Sequence, residues 1–386
     1  MARPPRPRRA PLLVALGGDA MVPALAAATT HWHREGRRAM AEGAAQLLAM
    51  LGSDKALRAL DALSAEHPHD ALGAAVGAAL EAEAQARGEA VDDLLDGCAP
   101  RFGLALDGAA ELTDGRRRFR VTLVGWKPSL TDEVGRELHA PPKTTRPDAR
   151  REAVIEAWRE LSHELDPTRR RERRRAEDAL VNQRAWEAAT WTDRVASHPI
   201  LSRVYEGLVW VTDAGESFTW SAADGARGPD GEAVALASVK TLRLAHPAVD
   251  AALLARWEGA SLEPPFAQRE RAVEPVEGVT SRFEGRVMRA HDDRHDRHAQ
   301  PWDREGWRVG PIEDHRFNAL TWRAGRGPVE AALAVGGMVR WSADAREATV
   351  GALTFHRASS GEAIDPRDAP PVFVSEAAAS VARMLR

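Results

Sequence analysis

Cysteine is nearly absent from this chain, since Cys98 is the single one among 386 residues. A disulfide framework and a metal site built from several cysteines are therefore excluded. A lone thiol is typical of proteins in a reducing compartment, so we expect the protein to be cytoplasmic. No apolar run approaches the roughly 20 residues that a membrane-spanning helix needs, and we expect no membrane association.

The sequence also lacks the short motifs of familiar catalytic machinery. It contains no GxxxxGK[ST] phosphate loop, no GxSxG nucleophile turn and no HExxH zinc motif. These absences exclude P-loop nucleotide hydrolases, hydrolases with a nucleophile elbow and zincin-type metalloproteases. We therefore predict no catalytic residue and no cofactor, and the sequence favours a protein that is not an enzyme.

An excess of positive charge is missing as well. The chain carries 53 Lys and Arg against 57 Asp and Glu, a formal net charge of −4. Only four of the basic residues are lysines. A protein that coats nucleic acid is usually basic overall, so any contact of this chain with DNA or RNA must be local.

An internal repeat opens the chain. Leu13-x-x-Leu16-Gly17-Gly18-Asp19 recurs 35 residues later as Leu48-x-x-Leu51-Gly52-Ser53-Asp54. In each copy the Leu-Gly pair is suited to end one helix, and the Asp is suited to cap the next. A period in the thirties is typical of stacked helix pairs and predicts a HEAT-like repeat region. Two unrelated helical hairpins in alanine-rich sequence are the alternative.

The sequence pattern changes after Pro100 from one typical of helices to one typical of strands. Asp107-Gly108 and Asp114-Gly115 predict turns, and Phe119, Val121 and Leu123 alternate as one face of a strand. The sequence therefore predicts an α+β protein with N-terminal HEAT-like helical repeats followed by a mixed, β-rich C-terminal domain. The predicted parts are 1–99 (helical repeats), 100–145 (β-hairpin and linker) and 146–386 (α+β domain).

The C-terminal half is predicted to be mostly strand. Alternating apolar residues predict strands over 280–288, 317–322, 329–341 and 349–355. A closing helix is predicted over 374–385.

The sharpest charge feature is a run of six arginines within seven positions. Asp148 is expected to open one helix, and Asp166-Pro167 is expected to start a second one that carries the run. The guanidinium groups suit phosphate oxygens, which makes the run a candidate for phosphate or nucleic-acid contact. A solvated helix balanced by Glu164, Glu177 and Asp178 is the alternative. The candidate residues are Arg169, Arg170, Arg171, Arg173, Arg174 and Arg175.

Histidines supply the remaining candidates for chemistry. Helical spacing would place His291, His295 and His298 on one face as metal ligands, but Arg294 and Arg297 lie between them and would repel a cation. A solvated loop is the alternative. His198 and His246 each precede a proline, so each imidazole can cap the helix that follows or bond a carbonyl, and a catalytic pair is the competing interpretation. Cys98 is interpreted as a buried structural cysteine rather than a nucleophile.

Several weak signs follow one another in a recognisable order over residues 85–360. They are Pro100, Asp107-Gly108, Asp132-Glu133-Val134-Gly135, Pro141-Pro142-Lys143, Arg184-x-Trp186, His198-Pro199, Leu208-Val209-Trp210, His246-Pro247, Pro265-Phe266-x-Gln268 and Gly306-Trp307-Arg308-x-Gly310. In this order they resemble the MolR-like (molybdate metabolism regulator-like) bacterial family. Arg269 departs from its pattern, because an apolar residue usually stands there.

The resemblance implies little about activity. The family's shared domain has no established biochemical function and often follows a WGR domain, which is not visible here, so DNA binding is not carried over. The resemblance implies a protein partner, either a MoxR-type AAA+ ATPase or a von Willebrand A-domain protein. We therefore expect a non-catalytic interaction or regulatory protein. Two alternatives stay open: a nucleic-acid-associated protein acting through the arginine-rich helix, and an enzyme with an unrecognised site in 198–315.

Overall fold

The computed structural model describes residues 17–67, 71–142, 148–260, 264–289, 300–310, 316–340 and 347–386. Helices dominate its N-terminal part and antiparallel strands its C-terminal part, so the α+β class is confirmed. The chain divides into two compact units. The first comprises residues up to Arg169 together with Thr190–Arg203, and the second comprises Arg170–Ala189 and Val204–Arg386. The finer division into three sequence domains stays a prediction.

Five helices form the N-terminal layer of the first unit. Gly52 ends α2 with a φ of 58°, a left-handed conformation that glycine adopts without strain. The cap of α3 is Ser53, whose hydroxyl accepts the amide of Ala56, while Asp54 lies inside the first turn. The apolar sides of the helices meet in a core around Leu48, Leu57 and Leu60. The helices are α1 (Val22–Arg34), α2 (Arg38–Leu51), α3 (Asp54–Glu66), α4 (Ala71–Arg87) and α5 (Val91–Gly97).

A four-stranded antiparallel meander follows in the same unit. It consists of β1 (Ala109–Thr113), β2 (Arg118–Val124), β3 (Lys127–Asp132) and β4 (Glu137–Leu138). In β2 the side chains of Phe119, Val121 and Leu123 are buried, whereas Arg118 and Arg120 are exposed. The alternation predicted from the sequence is confirmed, and the buried face packs on the long helix that follows.

One continuous helix, α6 (Ala149–Val181), replaces the two helices expected around Asp166-Pro167. Proline inside a helix removes one backbone hydrogen bond and costs about 3 kcal/mol. Leu165 before it and Thr168 after it are both buried. Burial on both sides of Pro167 holds the helix together across the proline, so the predicted helix start was wrong.

The second unit contains two further antiparallel sheets. The expected strand over 280–288 is wrong for most of its length, because residues 280–285 form turns and pairing starts at Val287. One sheet has the order β5-β9-β6-β7-β8, with β5 (Trp186–Glu187), β6 (Val209–Thr212), β7 (Ser217–Ser221), β8 (Gly225–Arg227) and β9 (Thr241–Leu244). The other has the order β10-β14-β13-β12-β11, with β10 (Val287–Arg289), β11 (Arg308–Val309), β12 (Arg316–Trp322), β13 (Val329–Arg340) and β14 (Glu347–Arg357), and β15 (Ala363–Ile364) pairs with β14.

Short helices connect these strands. They are α7 (Ala188–Trp191), α8 (Leu201–Val204), α9 (Pro247–Ala255) and α10 (Pro301–Arg304).

The closing helix α11 (Pro371–Met384) lies in the largest core found among the described residues. Its sequence, PVFVSEAAASVARM, is apolar or small around almost the whole circumference, as expected of a helix buried on all sides. Phe373 contacts both Trp322 and Phe355. The helix predicted near 374–385 is therefore present, and it begins three residues earlier.

Most tryptophans of the described chain serve packing. Trp186, Trp210 and Tyr205 contact one another through their rings, and Trp210 also stacks on Phe218. All four side chains are buried. Core packing, rather than a stacking platform for bases, is the function that these contacts support.

Gln268 is a buried polar side chain that joins two backbone segments. Its amide nitrogen donates to the carbonyls of Val209 and Ala245, and its amide oxygen accepts the N–H of Val209. The side chain is 1% exposed, so water cannot reach these backbone groups to replace the hydrogen bonds of Gln268.

Replacing Gln268 with leucine should destabilise the protein strongly. The N–H of Val209 and the carbonyl of Ala245 would lose their bonds to Gln268, whereas the carbonyl of Val209 would keep its bond from the amide of Ala245. Each buried backbone group left without a partner costs about 1–3 kcal/mol, so we expect a loss of roughly 2–6 kcal/mol in the free energy of unfolding. Denaturant unfolding followed by tryptophan fluorescence measures it. Gln85→Leu, at an exposed position of α4, is the matched control and should change stability by less than about 0.5 kcal/mol. Equal stability of the two variants would contradict this role of Gln268.

Candidate functional site

The arginine run lies on α6, and most of it is paired with carboxylates. Arg169 bonds Asp166 at 2.7 Å, Arg173 lies 3.4 Å from Glu177, and Glu172 accepts from both Arg171 and Arg175. Glu172 is 3% exposed, so its two ion pairs are largely shielded from solvent. Phosphate contact through this run stays untested, but these four guanidinium groups already have counter-ions, as the solvated-helix alternative requires.

His198 is held by backbone groups on both sides of its ring. Its Nδ1 accepts the amides of Ile200 and Leu201 at 3.1 and 3.2 Å, so the proton of the neutral ring is on Nε2, which donates to the carbonyl of Ala99 at 3.1 Å. Burial lowers the pKa of His198 to about 4, although the bond to Ala99 opposes the shift. The imidazole is therefore neutral at physiological pH.

His246 is held in the same way in the second unit. Its Nδ1 accepts the amide of Ala248 at 3.1 Å as the cap of α9, and Nε2 donates to Glu376 at 2.9 Å. Arg271 donates to the other oxygen of Glu376 at 2.9 Å. Burial alone would raise the pKa of Glu376, but the bonds from His246 and Arg271 outweigh it and the pKa is lowered.

These contacts confirm the capping geometry expected for both histidines. A general base needs an imidazole lone pair that faces its substrate. In both rings the lone pair of Nδ1 is occupied by backbone N–H groups, and the N–H of Nε2 is also bonded. The partners of the two rings are different, and nothing in these contacts joins the rings as a catalytic pair.

A polar cavity of about 360 Å³ lies in the first unit. Pockets of roughly 300–1,000 Å³ take small molecules, so the cavity is large enough for one or for the end of a peptide. Its walls come from the start of α3, the end of α4, α5 and the segment before α8. They are formed by Asp54, Arg87, Glu89, Leu94, Asp96, Gly97, Cys98, Arg101, Asp193, Arg194, Ser197 and His198.

The thiol in this cavity is kept protonated. Cys98 is buried, and its Sγ donates to Asp54 at 3.6 Å. Burial, followed by the charge and hydrogen bond of Asp54, raises the pKa of Cys98 to about 12. The thiolate is the nucleophilic form of cysteine, so these surroundings oppose a catalytic role and agree with the structural interpretation.

Three arginines of the cavity wall are each fixed at one side. Arg87 donates from Nε and Nη2 to Glu83 and from Nη2 to the carbonyl of Gly52. Arg101 donates from Nη2 to the carbonyl of Ser197. Arg194 donates from Nη1 to the carboxylate of Glu89 and to the carbonyl of Asp93. Among the described residues, nothing accepts from Nη1 of Arg87, from Nε and Nη1 of Arg101, or from Nε and Nη2 of Arg194. Donors held in this manner suit a carboxylate or phosphate group.

Sequence reasoning missed this cavity because its residues are far apart along the chain. Arg87 is the last residue of α4, Arg101 lies near the predicted change to strands, and Arg194 belongs to a short π-helix, Thr192–Ala196. The surrounding sequence gives each of them the appearance of an ordinary surface arginine. Cys98 and His198, which were singled out, are the two cavity residues that the sequence could flag.

The histidine cluster His291, His295 and His298 lies outside the described residues. Within the described ranges, no group of three or more His, Cys, Asp or Glu side chains could hold a metal ion. No helix in those ranges is both long enough and apolar enough to span a bilayer.

Comparison with protein families gives one informative match. Residues 135–302 match a family described as Domain of unknown function (DUF4132). The match covers less than half of the chain. It includes His198, His246 and the arginine run, but of the cavity wall it includes only the residues from Asp193 to His198. No curated protein matches the chain, and no solved structure matches it.

The resemblance to the MolR-like family is therefore corrected. The match supports the domain of unknown function, and neither a MolR-like nor a WGR family is supported. The expected MoxR-type ATPase and von Willebrand A-domain partners rested on that resemblance alone, so they lose their basis with it. The weak signs that carried it have local physical causes; His246-Pro247, for example, is a helix cap.

Cys98 should be almost unreactive in the folded protein. A pKa near 12 instead of 9 leaves about a thousandth of the ordinary thiolate fraction at neutral or mildly alkaline pH. We expect alkylation by iodoacetamide to be slower by about that factor than in the denatured chain. Asp54→Asn should speed it, because a charge that opposes the thiolate is removed. Glu81→Gln, an exposed change of equal charge on α4, should not. Equal rates in folded and denatured protein would contradict the assignment.

His198 should make stability depend on acidity. Because its folded pKa lies near 4 and its unfolded pKa near 6.5, the unfolded chain binds a proton first as pH falls. Stability is therefore full above about pH 6.5 and is lost down to about pH 4, by roughly 3 kcal/mol. His198→Asn retains an oxygen for the helix cap but does not titrate. Unfolding at pH 7 and pH 4 should show the smaller loss in the variant, and identical losses would contradict the prediction.

Proposed function

We propose that this chain is a non-catalytic interaction or regulatory protein that binds the acidic end of a partner polypeptide in the cavity of its first unit. The proposal rests on the protonation states and hydrogen bonds of the side chains that line the cavity. Its thiol and imidazole are both neutral and both bonded, so the thiol is not an activated nucleophile and the imidazole is not a free base. Its three arginines keep unused donors instead.

HEAT-like stacking of the N-terminal helices is part of the proposal. Helices α3 and α4 begin 32 and 33 residues after α1 and α2, which is the period of paired-helix repeats. α1 packs on α2, α3 packs on α4, and α2 packs on α4. The hydroxyl of Ser53 donates to Asp19, so the two copies of the sequence repeat are in direct contact. Stacked helix pairs commonly serve as docking frames for other proteins.

The wall carries both signs of charge, which favours a peptide end over a simple anion. A chain terminus presents a carboxylate, which suits the free donors of Arg87, Arg101 and Arg194. It also presents backbone N–H groups, which suit acceptors such as the carboxylate of Asp193. A phosphate ion offers no comparable donors, so it would satisfy the arginines alone.

The experiment compares partners captured by three forms of the full chain. Arg101→Glu reverses the charge of an arginine with one bond to the wall. Arg159→Glu makes the same charge change on an exposed part of α6 and is the control. Affinity purification from native extract with quantitative mass spectrometry should find a protein retained by the wild type and the control and reduced at least tenfold by Arg101→Glu. A peptide of that protein's own C-terminal residues should then displace it.

Two outcomes would contradict the proposal. One is that every captured protein is retained equally by Arg101→Glu and by Arg159→Glu. The other is that the C-terminal peptide fails to displace a partner that depends on Arg101. Circular dichroism of both variants establishes that a lost partner does not reflect a lost fold.

A further inference from the structure

Four exposed guanidinium groups gather where β1 turns into β2. Thr113 and Arg118 form the last pair of the two strands, and the turn between them carries Arg116 and Arg117. Gly115 has a φ of 83°, and a side chain placed there would meet Nη1 of Arg150 at 2.9 Å. The guanidinium of Arg150, from the start of α6, therefore lies over the turn. We call Arg116, Arg117, Arg118 and Arg150 the hairpin patch.

The carboxylates nearest to this patch are occupied by backbone amides. Asp114 accepts the amides of Arg116 and Arg117 at 2.9 and 2.7 Å, and Asp148 accepts those of Arg150 and Arg151 at 3.1 and 3.4 Å. Glu133 accepts the amide of Arg118 at 2.7 Å. In the described part of the chain, the side chains of the patch make no ion pair or hydrogen bond. Four positive charges are thus left without counter-ions in one small area.

The turn that carries the patch is fixed before any ligand binds. Arg151 donates to Asp114 and to the carbonyl of Pro142, and its guanidinium lies 5.1 Å from the ring of Phe119. The pKa of Asp114 is lowered, first by the amides of Arg116 and Arg117 and then by Arg151, so the anchoring carboxylate stays ionised at physiological pH. The turn between β1 and β2 therefore does not need to become ordered when a polyanion binds.

We propose that the hairpin patch binds the phosphate backbone of a nucleic acid without reading its sequence. Arginine forks bind phosphate oxygens in pairs of hydrogen bonds, and four of them can neutralise about four phosphates. Phe119, the aromatic residue adjoining the patch, is buried beneath Arg151, so it offers no surface on which a base could stack. The contact is therefore with the backbone. The arginine run of α6, which the sequence offered as a candidate for phosphate contact, differs because carboxylates already pair with much of it.

Fluorescence anisotropy with a short labelled DNA duplex of mixed sequence tests the proposal on the full chain. We expect a Kd on the order of 10 µM at about 50 mM salt, and a slope of log affinity against log salt of about −3.6, or 0.9 for each of four phosphates. Changing Arg116, Arg117, Arg118 and Arg150 to Gln should raise Kd at least tenfold and bring the slope close to zero. All four positions are exposed, so the fold should persist, which circular dichroism checks.

A matched variant separates this site from general charge. Changing Arg159, Arg170, Arg173 and Arg174 to Gln removes the same four charges from exposed positions of α6 and should alter Kd less than twofold. Equal weakening by both variants would overturn the proposal, as would absence of binding by the wild type at about 50 mM salt. Displacement of the duplex by polyglutamate as effectively as by unlabelled duplex, at equal charge concentration, would also overturn it.

Discussion

The requirement that a buried polar group find a partner organises both units of this protein. Three side chains meet it over long sequence distances. Gln268 bonds backbone groups of Val209 and Ala245, His198 bonds the carbonyl of Ala99, and His246 bonds Glu376. Each of them also bonds backbone groups at the end of a helix or strand or in the segment beside it, where a regular ladder does not supply every partner. The backbone amides that the two imidazoles cap occupy the lone pair of each Nδ1. A ring that serves the fold in this way cannot also act as a general base.

The sequence predicts what neighbouring residues determine and misses what distant ones determine. Alternation at Phe119, Val121 and Leu123 predicts a strand face because it depends on a local period, and the histidine caps follow from the proline after each ring. Pro167 misled the helix prediction because its cost is offset by burial of Leu165 and Thr168, which only the tertiary structure reveals. The cavity was missed for a related reason, since its arginines come from three separate segments. An ordered series of local signals is likewise weak evidence for a family.

Arginine illustrates how little residue type alone says about a surface. The run on α6 is the densest in the chain, yet Glu172 and other carboxylates on the same helix bond to it at intervals of one to four residues. The hairpin has fewer arginines and also has acidic neighbours. There, however, backbone amides bond the carboxylates of Asp114, Asp148 and Glu133, and the guanidinium that also bonds Asp114 belongs to Arg151, which lies outside the patch. The two surfaces differ in which groups donate to their carboxylates, and not in the number of arginines alone.

The central position of α11 has a consequence for how the second unit is made. Its residues contribute Phe373, Val374, Ala377 and Val381 to the largest core, and Glu376 receives the bond from His246. These residues are synthesised after every strand they cover. During translation the sheets of the second unit therefore emerge with their apolar faces open, and the core closes only when residues 371–384 have left the ribosome. Until then the apolar faces that α11 covers in the finished protein are exposed, and such surfaces favour association with other chains.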